Sequence, residues 1–187
     1  MFKSIGHHTA LDENGLEYIE RNAPFRSTRK SPFLGSGYYF WDNHIELARF
    51  WGESQYKGRY VVCEMDFHVT EESFLDLVGS REDQIHFKNL INLYSNFEFG
   101  SDLSGEPIGK IITIFNKVAM RPGFKDFFPY KVIRAVDLYA RSKFNSEWKD
   151  FGGIIGHGMY LSPQYILCLK SKDGKLCSNL RIVHTNQ

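Results

Sequence analysis

The chain has 187 residues, 42% of them hydrophobic and 24% charged, which excludes a disordered or fibrous chain and suits one domain over residues 1–187. A net charge of +1 gives no electrostatic case for bulk nucleic-acid binding, although a local basic patch stays open. The opening MFKSIGHHTALDENG has no apolar run of the signal-peptide kind, and no stretch reaches the length of a membrane span.

Aromatic residues are abundant, with 16 Phe and 10 Tyr, which favours well-filled β layers or a site that stacks rings. Cys63, Cys168 and Cys177 form no CxxC pair and no even framework, so reduced thiols in a cytoplasmic protein are expected. A zinc site from Cys168, Cys177 and His184 is conceivable, but no standard spacing supports it and no metal is expected.

Residues 3–8 read as a short strand ending in His7-His8-Thr9, followed by a helix with Leu16 and Ile19 inward. Asn22 to Pro32 is a polar, proline-flanked loop carrying Arg26, Arg29 and Lys30. In LGSGYYFWDNHIELARFW, residues 34–51, Gly35 and Gly37 lie two apart in an extended segment and so share a face with Tyr39. That bare face allows close approach to the backbone. Asn43 and Glu46 fit a capping box, and the helix they open places Ile45, Ala48 and Trp51 inward with Phe50 near the same edge.

Arg59 to Val69 alternates, with Val61, Cys63, Met65, Phe67 and Val69 on one face, and predicts a half-exposed strand. Thr70 and Ser80 are candidate N-caps for helices over 71–79 and 81–95. Pro107 opens a further helix with Ile108, Ile111, Ile112, Phe115, Val118 and Ala119 as its inward stripe. Strands are predicted over 130–139, 164–169 and 180–184, with a glycine-rich turn at 151–158 and a hairpin-like turn around Asp173-Gly174. Strands at both ends and helices between them predict an α+β fold with mainly antiparallel pairing.

GxGxxG, P-loop and HExxH motifs are absent, and Gly35-Ser36-Gly37 lacks the outer spacing of a nucleophile elbow. Three separated segments stand out: His7-His8-Thr9, Gly35 to Phe40 with its following helix, and Gln164-Tyr165-Ile166-Leu167. In order and spacing they resemble the ADP-ribosyltransferase superfamily, in its diphtheria-toxin and poly(ADP-ribose) polymerase branch with a His–Tyr–Glu triad. His7-His8-Thr9 is similar to H-G-[ST], Gly35 to Phe40 to G-x-G-x-Y-F, and Gln164 stands where that branch opens a strand with Glu. The likeness covers roughly residues 5–68 and 154–170; FLGSGYYFW with its helix also resembles a bacterial, toxin-like subgroup.

The resemblance implies two mainly antiparallel sheets around an NAD cleft, with flanking helices. It implies NAD as co-substrate, cleavage of the nicotinamide–ribose bond and mono-ADP-ribosyl transfer. The acceptor stays open among protein, nucleic acid and small molecule, and an inhibitor or antitoxin partner is compatible with the subgroup. His7, Tyr39 and Gln164 take the triad positions. His7 then holds the adenosine ribose, Tyr39 stacks on nicotinamide and Phe50 closes the other side. His8, Thr9 and Gly37 contribute to NAD binding, and Arg26 or Arg29 covers the diphosphate.

Two departures bear on activity. His8 replaces a glycine whose backbone pairs with the nicotinamide carboxamide, and Gln164 replaces the carboxylate that stabilises charge growing on the ribose. At ~5 Å and an effective dielectric of ~20, a missing unit charge is about 3 kcal/mol. That is roughly two orders of magnitude in rate. A neighbouring carboxylate such as Glu147 or Asp150 could compensate, and the segment Gly152–Pro163 is expected to help place the acceptor. Rival readings are an NAD glycohydrolase, a catalytically weak module that binds NAD or ADP-ribose, and a structural α+β domain.

Overall fold

A computed structural model describes residues 1–137, 148–150, 158–160 and 164–186. The strand predicted at the start runs further, over Phe2–Leu11 (β1), and pairs antiparallel with Tyr60–Val69 (β3) along its whole length, from Phe2 opposite Val69 to Leu11 opposite Tyr60. Tyr38–Asp42 (β2) meets β1 at two rungs only, Gly6 with Asp42 and His7 with Trp41. Beyond His7 the two strands part, and Tyr38–Trp41 pair on their other side with Tyr165–Leu169 (β8). Phe74–Asp76 (β4), Val132–Val136 (β5) and Cys177–Asn186 (β9) complete one seven-stranded sheet in the order β4-β5-β8-β2-β1-β3-β9. Pairing is antiparallel except between β4 and β5. Trp148–Asp150 (β6) and Gly158–Tyr160 (β7) form a separate two-stranded ribbon.

The chain is therefore α+β, with a single mixed sheet of seven strands in place of two separate ones. That sheet is not flat. Four strand spacings of about 4.8 Å would set β4 and β1 about 19 Å apart in a flat sheet. Yet Phe2 of β1 stacks on Phe74 of β4 with ring centroids 4.1 Å apart. Phe40 and Phe67, on strands either side of β1, meet edge to face at 5.0 Å. The sheet thus doubles over at the two-rung junction. Gly6 sits at that fold, where an added Cβ would fall 2.5 Å from the Phe67 ring. Inside the fold, Phe40, Phe67, Val69, Val132, Leu167 and Leu169 make one buried cluster.

The outer face of the sheet carries the helices. Leu16–Asn22 (α1) buries Ile19 against Val61 and Cys63. Ile45–Tyr56 (α2) buries Leu47 and Ala48, while Arg81–Ser95 (α3) and Ile108–Ala119 (α4) bury Phe87, Leu90, Ile112 and Phe115 in the largest cluster. Ser80 caps α3 as its sequence predicts, its Oγ accepting from the Asp83 amide at 3.1 Å.

Several local expectations give way to tertiary context. Residues 71–79 are not a helix: Glu71–Ser73 make one 3-10 turn and Phe74–Asp76 join the sheet beside β5. Asn43 does not cap α2. It takes a left-handed φ of 50°, and the ring of His44 accepts from the Leu47 amide instead. The turn at Asp173-Gly174 closes no hairpin, because β8 lies between β2 and β5 whereas β9 pairs with β3. Among the described residues no helix is long and apolar enough to cross a membrane.

Candidate functional site

Where β1 and β2 part, the loop between α1 and β2 enters the gap. Arg26 bridges Tyr38, and the Ser27 amide donates to the Gly37 carbonyl at 2.9 Å. The ring of His8 supplies the rungs that β1 no longer makes. The Phe25 amide donates to its Nε2 at 3.0 Å, so Nε2 is bare, and Nδ1–H donates to the Tyr39 carbonyl at 2.8 Å. Burial, followed by the positive charge of Lys172, lowers the His8 pKa from 6.5 to about 4, so the ring is neutral.

This arrangement leaves a cavity of about 750 Å³. One wall is Tyr39, Trp41 and Ile166 from the sheet; another is Trp51, Gln55 and Tyr56 from α2. Arg26 to Arg29 of the loop also line it, as do Tyr18, Phe25 and His8. The Arg29 guanidinium sits 4.4 Å over the Trp51 ring and donates to Gln55 Oε1 at 3.4 Å. Arg26 stacks on Tyr38 at 5.1 Å and donates to Ser36 Oγ at 2.9 Å. Two carboxylates, Glu13 and Asp137, also reach the lining.

The residues singled out in the sequence are only partly assembled here. Tyr39, His8, Thr9, Arg26 and Arg29 line the cavity. The Tyr39 hydroxyl is fixed, donating to the Gly35 carbonyl at 2.6 Å and accepting from the Leu34 amide at 2.8 Å. Burial raises its pKa, so it stays protonated. Thr9 spends its hydroxyl on the Ala48 carbonyl at 2.7 Å, which ties α2 to β1.

His7, Gly37, Phe50 and Gln164 are not in the lining. Successive strand residues alternate faces. His7 accordingly points away from His8's partners, with Nε2 3.0 Å from Glu64 and Nδ1 buried without a partner among the described residues. The bare face of Gly37 admits β8, not a ligand. A Cβ there would lie 2.5 Å from Cys168 Sγ and 2.8 Å from the Leu169 carbonyl. The helical phase that buries Leu47 and Ala48 turns Trp51 into the cavity, and Phe50 is half-buried beside it. Gln164, 8% exposed, precedes β8 on the face of Ile166, and its Oε1 has no partner among the described residues. Glu147 and most of Gly152–Pro163 lie outside the described residues.

Phe25 and Asp137 also line the cavity, although no motif marks either of them. Each left a trace: an aromatic residue inside a polar loop, and a carboxylate in phase with Ile133 and Ala135 just past the end of β5. The Cys168 thiol packs against the bare face of Gly37, and burial raises its pKa, which leaves it a poor nucleophile. The cavity thus offers broad aromatic faces, two cations at its side and a neutral imidazole, a set suited to a flat heterocycle joined to an anion. Comparison with the profiles of known protein families, with curated proteins and with solved structures gives no match.

Proposed function

We propose that this cleft binds NAD and that the chain is a mono-ADP-ribosyltransferase, which breaks the nicotinamide–ribose bond and passes ADP-ribose to an acceptor. The observation that carries the reading is the parting of β1 and β2. It gathers Tyr39, the loop arginines and a buried neutral histidine, drawn from separated segments, around one cavity of about 750 Å³. The doubled-over sheet supports the two-sheet arrangement that the motifs imply, with its two leaves meeting at Phe2 and Phe74.

In this reading the nicotinamide ring lies between Tyr39 and Trp51, with Trp51 in the place expected of Phe50. Arg26 and Arg29 meet the diphosphate, and His8 faces the ligand where His7 was expected. A second reading, a module that binds NAD or ADP-ribose without turnover, is favoured by the uncharged Gln164. Calorimetric titration with NAD and ADP-ribose, alongside chromatography for free nicotinamide, separates the two. Binding with nicotinamide release is expected; heat without release supports the second reading. If neither ligand gives heat or raises the melting temperature, both fail.

A further inference from the structure

The position that departs from the triad has a charged neighbour across the sheet. Val136 pairs with Tyr165, and the next rung is made by the Asp137 amide donating to the Gln164 carbonyl at 2.9 Å. Residues opposite one another on antiparallel strands project to the same face, with Cβ atoms about 5 Å apart. That face is the one the helices cover, since Ile133 and Ala135 on β5 and Ile166 and Cys168 on β8 all belong to the large core cluster. Asp137 and Ile166 both line the cavity, and Gln164 lies two residues before Ile166 on the same strand face.

We propose that Asp137 is the catalytic carboxylate of this site, supplying from the end of β5 the charge that Gln164 lacks just before β8. The proposal rests on the NAD reading above. When the bond from ribose C1′ to the nicotinamide nitrogen breaks, its electron pair leaves with nicotinamide. The positive ring nitrogen becomes neutral, and positive charge grows on C1′ and the ring oxygen of the ribose. The Asp137 carboxylate stabilises that charge across the rung. It then takes the proton of the nucleophile, a hydroxyl, amine or water, as its lone pair bonds to C1′. The buried Gln164 side chain, outside the cavity lining and with its Oε1 unpartnered among the described residues, stands behind Asp137 on the same rung.

Four proteins test this: wild type, Asp137→Asn, Asp137→Glu, and Asp137→Asn combined with Gln164→Glu. Each is assayed for NAD affinity by calorimetry and for nicotinamide release from NAD. Removal of one charge at this range predicts a roughly 100-fold fall in release for Asp137→Asn, with the NAD dissociation constant within about threefold of wild type. The double variant is expected to recover most of the loss, because a carboxylate returns on the opposite strand of the same rung. Asp137→Glu keeps measurable turnover, which guards against mere misfolding of the amide variant. If Asp137→Asn releases nicotinamide as fast as wild type, the assignment falls and the NAD reading stands. Wild-type protein that binds NAD without releasing nicotinamide also overturns the assignment and leaves a binding module. Wild-type protein that neither binds nor cleaves NAD overturns both.

Discussion

His8 is held neutral inside the cleft, and that neutrality has a measurable energy. Its ring accepts from the Phe25 amide and donates to the Tyr39 carbonyl. A second proton on the ring would destroy the first bond and place a charge in a buried site. With the pKa lowered from 6.5 to about 4 on folding, chiefly by burial, the unfolded chain binds the proton more tightly than the native one. Stability from this residue is therefore complete above pH 6.5 and is lost as the pH falls toward 4. The loss is about 1.4 kcal/mol by pH 5.5 and about 3 kcal/mol by pH 4. Urea unfolding from pH 8 to 4, on wild type and His8→Gln, isolates the contribution, because the difference between the two curves cancels every other titrating group. The curves should converge by about 3 kcal/mol as the pH drops. Parallel curves, or an imidazole resonance of His8 titrating near pH 6.5, would refute the argument. In the proposed complex the same neutrality means that His8 would offer NAD a dipole and no charge, so its contribution to binding should be flat between pH 6 and 8.

Two further predictions follow from the cleft and its floor. Trp51→Ala should raise the NAD dissociation constant about tenfold, the usual worth of one stacked ring, whereas Phe50→Ala should leave it within about twofold; calorimetry giving the reverse order removes Trp51 from the ligand site. Gly37→Ala drives a methyl group to 2.5 Å from Cys168 Sγ and 2.8 Å from the backbone oxygen of Leu169. A main-chain oxygen inside a paired strand cannot step aside, so about 1–3 kcal/mol of stability should be lost. Gly105→Ala, where a Cβ meets nothing within 4 Å, serves as the control, and equal urea midpoints for the two variants would contradict the packing.

What the sequence makes legible depends on how far a residue's partners lie along the chain. α4 is plain because Ile111, Ile112, Phe115 and Val118 repeat at helical spacing and need only a surface to rest on. Residues 74–76 are not, since their partner β5 begins at Val132 and a parallel rung leaves no local signature. The misplaced hairpin had a legible warning. Ile166, Leu167, Cys168 and Leu169 are all buried, and such an unalternating run marks a strand with both neighbours and both faces covered. Within the site, Tyr39 and the arginine loop could be selected by motif and charge. The choice between His7 and His8 could not be made by pattern, because both faces of β1 are covered in that stretch; His8, Thr9, Ala10 and Leu11 all line the cavity, and what leaves His7 out is that β2 still pairs with β1 there. Trp51 displaces Phe50 because one residue is a 100° turn about the helix axis, and Leu47 and Ala48 set the zero of that rotation.

The location of β8 has a consequence for how the chain is made. It is the strand between β2 and β5, yet it emerges from the ribosome after both, so each of them must wait with an open edge while the intervening polypeptide is synthesised. Until Leu169 is out, neither leaf can close and the ligand cleft has no back wall. A nascent chain stalled before Tyr165 should accordingly be protease-sensitive and prone to self-association, and one released from the ribosome by an added C-terminal linker that clears Asn186 should resist both.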